Sequence, residues 1–216
     1  MLKKIILPFL FLWIAGAAFA QKDKKAGEIL DQSSAAFSEA GNLSAGFTMN
    51  IKDTSAGQAT AYDGVIDIKD NRFHINTPDN EIWFNGKTQW VLQKSWEEVN
   101  ISEPSGEEAQ MLHPGTVFAL YKKGAHYKYL GEKTDIKMRK VHEIELIPQN
   151  KKGGIVKIIL QINASDRMPV LFHIYFAGQV ENLIYIDKYQ TKLNLSDSLF
   201  VFDAKKYPDA EIIDLR

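Results

Sequence analysis

The side chains best suited to acid–base or metal chemistry are five histidines: His74, His113, His126, His142 and His173. A helical zinc site sets two histidines four residues apart around a glutamate, as in His-Glu-x-x-His, and the chain has no such pattern. His142 and His173 fall inside strand-like stretches, where a hydrogen-bonded structural role is the simpler reading. The acidic pairs Glu97-Glu98 and Glu107-Glu108 are each adjacent in sequence. Neighbours on a strand point to opposite faces, so Glu97 and Glu98 do not converge on one site, and a solvated surface role suits both pairs. A Gly-x-Ser-x-Gly nucleophile elbow is missing. Gly86-Lys87-Thr88 lacks the upstream glycine of a phosphate-cradling loop. With no cysteine at all, thiol nucleophiles, thiolate metal sites and disulfide exchange are excluded. The expectation is a non-enzyme with no catalytic residue, no metal and no cofactor.

What the sequence holds in quantity is apolar bulk: 12 Phe, 8 Tyr, 4 Trp and 5 Met. The matching chemistry is burial. A hydrocarbon chain of about fourteen carbons gains roughly 11 kcal/mol on leaving water, at about 0.8 kcal/mol per methylene. A sheet that curls without closing leaves a hollow for such a chain, whereas a small closed barrel fills its own interior. Methionine suits the lining of an adaptable hollow.

The elements that would shape this hollow are legible. From Lys24 to Ala40, Ala26, Ile29, Leu30, Ser33, Ala36, Phe37 and Ala40 recur with helical period, and Gly41-Asn42 supplies a stop. The period then changes to two. Leu43, Ala45, Phe47, Met49 and Ile51 alternate, as do Tyr62, Gly64, Ile66 and Ile68, then Phe73 and Ile75. Ile82 and Phe84 lead into the turn signal Asn85-Gly86-Lys87, and Trp90 and Leu92 leave it. Further strands are expected near Val99–Ile101, 127–130, 139–147, 155–162, 170–176, 183–189 and 199–202, about ten or eleven in all. The stretch from Pro104 to Gly124 is not strand-like. Pro114-Gly115 should break it into two helical pieces, which would plug or cover one end of the hollow.

The first residues read as a secretory leader: Lys3 and Lys4, an apolar run from Ile5 to Gly16, then Ala18-Phe19-Ala20. The run is too short to span a bilayer, which needs about 20 residues. Cleavage after Ala20 leaves a single expected domain, 21–216. Apolar residues at 45%, charged residues at 25% and a formal net charge of −1 describe a globular chain. They give no basic stripe for nucleic acid. A soluble exported monomer is expected.

In order and spacing these segments resemble the outer-membrane lipoprotein carrier (LolA) family. The resemblance rests on the opening helix, Leu43-Ser-Ala-Gly-Phe47, Gly64-Val-Ile-Asp-Ile-Lys69, Asn71-Arg-Phe73, Glu81 to Trp90, Pro114 to Leu120, Glu143 to Pro148, Phe200-Val-Phe202 and Pro208 to Asp214. It implies a mainly β (α+β) fold, an incomplete antiparallel barrel with an N-terminal helix and a helical lid. It implies a periplasmic protein that takes acylated lipoproteins from an inner-membrane transporter to an outer-membrane acceptor. The expected cavity lining is Phe47, Met49, Ile66, Ile68, Phe73, Ile75, Phe84, Trp90 and Leu92. The expected lid residues are Met111, Leu112, Phe118 and Tyr121. Family members carry an Arg-Pro pair after the second strand, with the Arg latching the lid. Here the positions read Lys69-Asp70, so Lys69 and Arg72 are the candidate latch, with other exported lipid as alternative cargo. A lipid- or protein-sensing domain that regulates a partner is the second reading.

Overall fold

A computed structural model describes residues 23–104, 115–150 and 154–216. The leader, Met111 and Leu112 lie outside them.

Helix α1 spans Lys24–Glu39. Its start is fixed by Asp23, whose carboxylate accepts from Ala26 N at 3.0 Å, the N-cap bond expected of an aspartate. The same carboxylate accepts from Tyr129 N at 2.9 Å, tying the helix to the sheet edge. Gly41, at φ 63, lets the chain reverse into the first strand.

Twelve strands follow: β1 Leu43–Asp53, β2 Gln58–Lys69, β3 Arg72–Asn76, β4 Asn80–Phe84, β5 Gln89–Gln93, β6 Glu98–Ser102, β7 Ala125–Thr134, β8 Lys140–Pro148, β9 Ile155–Asn163, β10 Pro169–Phe176, β11 Val180–Gln190 and β12 Glu211–Asp214. Helix α2, Thr116–Gly124, precedes β7. The strands form one open sheet in the order β12-β6-β5-β4-β3-β2-β1-β11-β10-β9-β8-β7. Every neighbouring pair is antiparallel except β12 with β6. The expected mainly β, unclosed architecture with an opening helix and a mid-chain helix is thus the observed one.

Two expectations are corrected. The stretch 199–202 is not a strand: Ser196 caps a 3-10 turn at Asp197–Phe200. Phe200, the last residue of that turn, and Phe202, two residues beyond it, mimic strand alternation because both pack inward while Val201 between them is exposed. Conversely, β12 gave no alternating signal, since Ile212 and Ile213 are adjacent and the strand is held by its pairing with β6.

The sheet has an apolar cluster on each face. The larger one runs across β1–β4 and β8–β11 and is covered by α1 and α2. The smaller is built on Trp83, Leu92 and Val99, against which Trp90, Ile101, Phe202 and Tyr207 pack.

Candidate functional site

The helix-covered face is the candidate site. Strand alternation puts Phe47, Ile66, Ile68, Phe73, Ile75 and Phe84 on this face, all buried, with Met49 half-buried beside them. Pairing brings them together. Ile66 lies opposite Ile75, Ile68 opposite Phe73, and Phe73 opposite Phe84, with the last two rings stacked at 5.1 Å. Gly64 faces Phe47 across the β1–β2 pair, and a Cβ there would come within 2.5 Å of the Phe47 ring. The absent side chain is what allows that ring to lie over β2.

Helix α2 supplies Val117, Phe118 and Tyr121 to the same cluster. Phe118 meets Phe37 of α1 at 5.6 Å. Polar ties between the two helices are slight: Tyr121 Oη donates to Asp31 at 2.6 Å, and Lys122 Nζ reaches Ser34 Oγ at 3.3 Å. Burial and the Asp31 carboxylate push the Tyr121 phenol upward, so it stays a neutral donor. Ser33, wholly buried on α1, has a hydroxyl with no partner among the described residues. The helices therefore sit on the sheet mainly through apolar contact, which has no preferred direction.

Seven of the nine expected lining residues are thus gathered beneath α1 and α2, together with Phe118 and Tyr121. Trp90 and Leu92 are not. They belong to the opposite face, Trp90 paired with Trp83 and Leu92 with Glu81. The reason is the turn. Asn85 N donates to Thr88 O, and the Asn85 side chain accepts from Lys87 N and Thr88 N, so four residues separate Phe84 from its partner Gln89. A three-residue reading of Asn85-Gly86-Lys87 would place position 90 on the face of position 84. One added residue reverses every side chain that follows. The far half of the same face, including Ile144, Leu146, Leu160, Ile162 and Phe172, is absent from the expected lining. Alternation is visible there in the sequence, but not the side it faces.

The candidate latch residues lie on the other face. Ile68 faces the helices, so Lys69 and its cross-strand partner Arg72 face away. Lys69 Nζ donates to Leu195 O at 2.8 Å and to Asp197 at 2.6 Å, and Arg72 donates to Asp197 at 2.9 Å. Among the described residues, these partners lie on the C-terminal segment.

That segment seals the outer cluster. Phe202 and Tyr207 meet Trp83 edge-on at 5.4 and 5.8 Å. Tyr207 Oη donates to Glu81 at 2.8 Å, and His74 bridges Glu81 at 2.8 Å and Asp67 at 3.3 Å. Burial pushes the His74 pKa down, but the two carboxylates outweigh it and raise it to about 8. Burial, reinforced by Glu81, takes the Tyr207 phenol up to about 12. His74, Asp67 and Glu81 form a buried ion network that reads as structural. No group of metal-ligating side chains occurs among the described residues.

The site is thus an apolar face of an open β-sheet lying under two helices that are tied by few polar bonds. The family model for the outer membrane lipoprotein carrier protein LolA matches residues 16–175, well over half of the sequence, and the chain belongs to that family. No curated protein matches it. Among solved structures, an uncharacterized conserved protein from Thermus thermophilus is similar at 15% identity and TM-score 0.58, covering 88% of this chain and 99% of that one. LprF from Mycobacterium bovis is similar at 15% identity and TM-score 0.50, covering 81% and 97%. A LolA superfamily protein from Nitrosomonas europaea aligns at 13% identity and TM-score 0.44, covering 82% and 97%. At these identities the likeness is one of fold. No described helix is long and apolar enough to cross a membrane.

Proposed function

We propose that this protein is a periplasmic carrier, exported by removal of residues 1–20, that shields the acyl chains of lipoproteins between its sheet and its helical cover. The observation that carries this reading is the apolar face beneath α1 and α2, whose cover is held by few polar bonds. The exchange is energetically feasible. Lifting Val117, Phe118 and Tyr121 off the sheet exposes three side chains worth about 1.5–3 kcal/mol each. An incoming chain of about fourteen carbons returns roughly 11 kcal/mol. The near balance also permits release. Met111 and Leu112 are proposed to extend the cover. Cargo would come from an inner-membrane transporter and pass to an outer-membrane acceptor.

The test is release of radiolabelled acylated lipoproteins from spheroplasts of the native host. Dependence of release on this protein, with acyl chains intact, supports the carrier. No release from spheroplasts with an active transporter overturns it in favour of another lipid ligand or a sensing domain. Phe118→Asp combined with Tyr121→Asp is expected to abolish lipid binding with the β-sheet circular dichroism retained. Loss of the sheet signal would mark these residues as plain core.

A further inference from the structure

The hairpin joining β7 to β8 holds two large apolar side chains in water: Ile136 is 70% exposed and Met138 83%. The loop that carries them is firmly built. Asp135 N donates to Arg139 O at 2.9 Å and Met138 N to Asp135 O at 3.0 Å. The Asp135 carboxylate, only 4% exposed, accepts from Lys137 N, Arg139 N and Arg139 Nε at 2.9, 2.8 and 2.6 Å. Lys137 pairs with Asp187 of β11, and Arg139 reaches Ile186 O at 3.5 Å. Met138 itself sits at φ 59, a left-handed conformation that glycine or asparagine adopts more easily. A rigid turn thus presents bulky apolar groups where its own backbone would favour a small or polar residue.

The surroundings say what those groups meet. Residues 132–140 contain four basic and two acidic side chains; Lys133, Lys137 and Arg139 pair with Glu143, Asp187 and Asp135, and the exposed Lys137–Asp187 pair is weak enough for a lipid head group to replace. Apolar tips flanked by cations match the interface of an anionic bilayer, with the tips at the acyl boundary and the cations among the head groups. A protein partner would want about 800 Å² of surface on each side, far more than one narrow hairpin tip presents. We propose that the 135–139 tip is a membrane-contact element that docks this protein on anionic lipid, independently of the cargo face.

The chain has no cysteine, so Met138→Cys can carry a single environment-sensitive fluorophore. Ser55→Cys, on the β1–β2 turn at the opposite end of the strands, is the control. With vesicles of phosphatidylethanolamine and phosphatidylglycerol, the label at 138 is expected to shift to the blue and to be quenched by spin-labelled lipid. The label at 55 should do neither. Adding Ile136→Asp is expected to weaken the response at 138 by about tenfold, and raised salt should weaken it further. The proposal is overturned by an unchanged label at 138 or by equal shifts at both positions. It is also overturned by a response that appears only with native membranes and disappears after protease treatment, which would point to a protein partner.

Discussion

The two faces of the sheet are both apolar, yet they are closed in different ways. The outer cluster lies under a C-terminal segment fixed by ring contacts, by Tyr207 on Glu81, and by Lys69 and Arg72 on Asp197. The inner face lies under helices that pack on it with apolar side chains, their polar ties being few: Asp23 on Tyr129 N, Tyr121 on Asp31 and Lys122 on Ser34. Directional bonds hold one geometry, whereas apolar contact can be exchanged for other apolar contact of similar area. The difference gives a single sheet a fixed side and an exchangeable side, and the proposed function places the cargo on the second.

A truncation at Trp83 separates the two faces most cleanly. Trp83→Ala removes the ring at the centre of the outer cluster and should cost about 3–5 kcal/mol in urea unfolding. Lipid capacity per folded molecule should not change. If lipid binding falls while the protein stays folded, the two faces are not independent.

The next concerns pH. His74 has a folded pKa above its free value of 6.5, so its stabilising contribution is complete below that pH and is lost as pH rises through about 8. The loss should be about 2 kcal/mol in chemical denaturation. His74→Gln should flatten the profile across that window. The carboxyls of Asp67 and Glu81 are raised by burial but lowered more by the sum of the His74 hydrogen bond and charge with a further hydrogen bond, from Ser44 to Asp67 and from Tyr207 to Glu81, and they give the opposite dependence in acid. A profile through pH 8 that survives the substitution would remove His74 as the fastening on the fixed side.

The smallest effect is a gain. Ser33→Ala deletes an orphan hydroxyl on the exchangeable side and replaces serine with a better helix former. It should raise stability by about 1 kcal/mol. A loss of stability would mean that the hydroxyl has a partner in solution and that the helical cover is tied more firmly than its contacts indicate.

Much of this arrangement was legible in the sequence. Helix α1 was readable almost to the residue, because its period and its Gly41-Asn42 stop agree. Most strands were readable because alternation is a local property. What alternation withholds is the side it faces: Trp90 and Leu92 were assigned to the inner face because one turn was read a residue short. Pairings between distant segments leave no local trace, so neither β12 nor the attachment of Lys69 and Arg72 to Asp197 could be anticipated. Their acceptor lies more than a hundred residues downstream.

The place of β1 in the sheet has a consequence for how the chain reaches this state. Strands β2–β6 and β7–β11 are successive hairpins that can form from neighbouring sequence, but β1 joins the two groups by pairing with β11, Ser44 against Gln190 and Asp53 against Val180. Closing that seam brings together residues far apart in the chain, and contacts of high sequence separation make folding slow. Until residue 190 has emerged, β1 offers an unpaired edge to any neighbouring chain. The maturing protein is therefore most exposed to misassociation at the strand that ends up in the middle of the sheet.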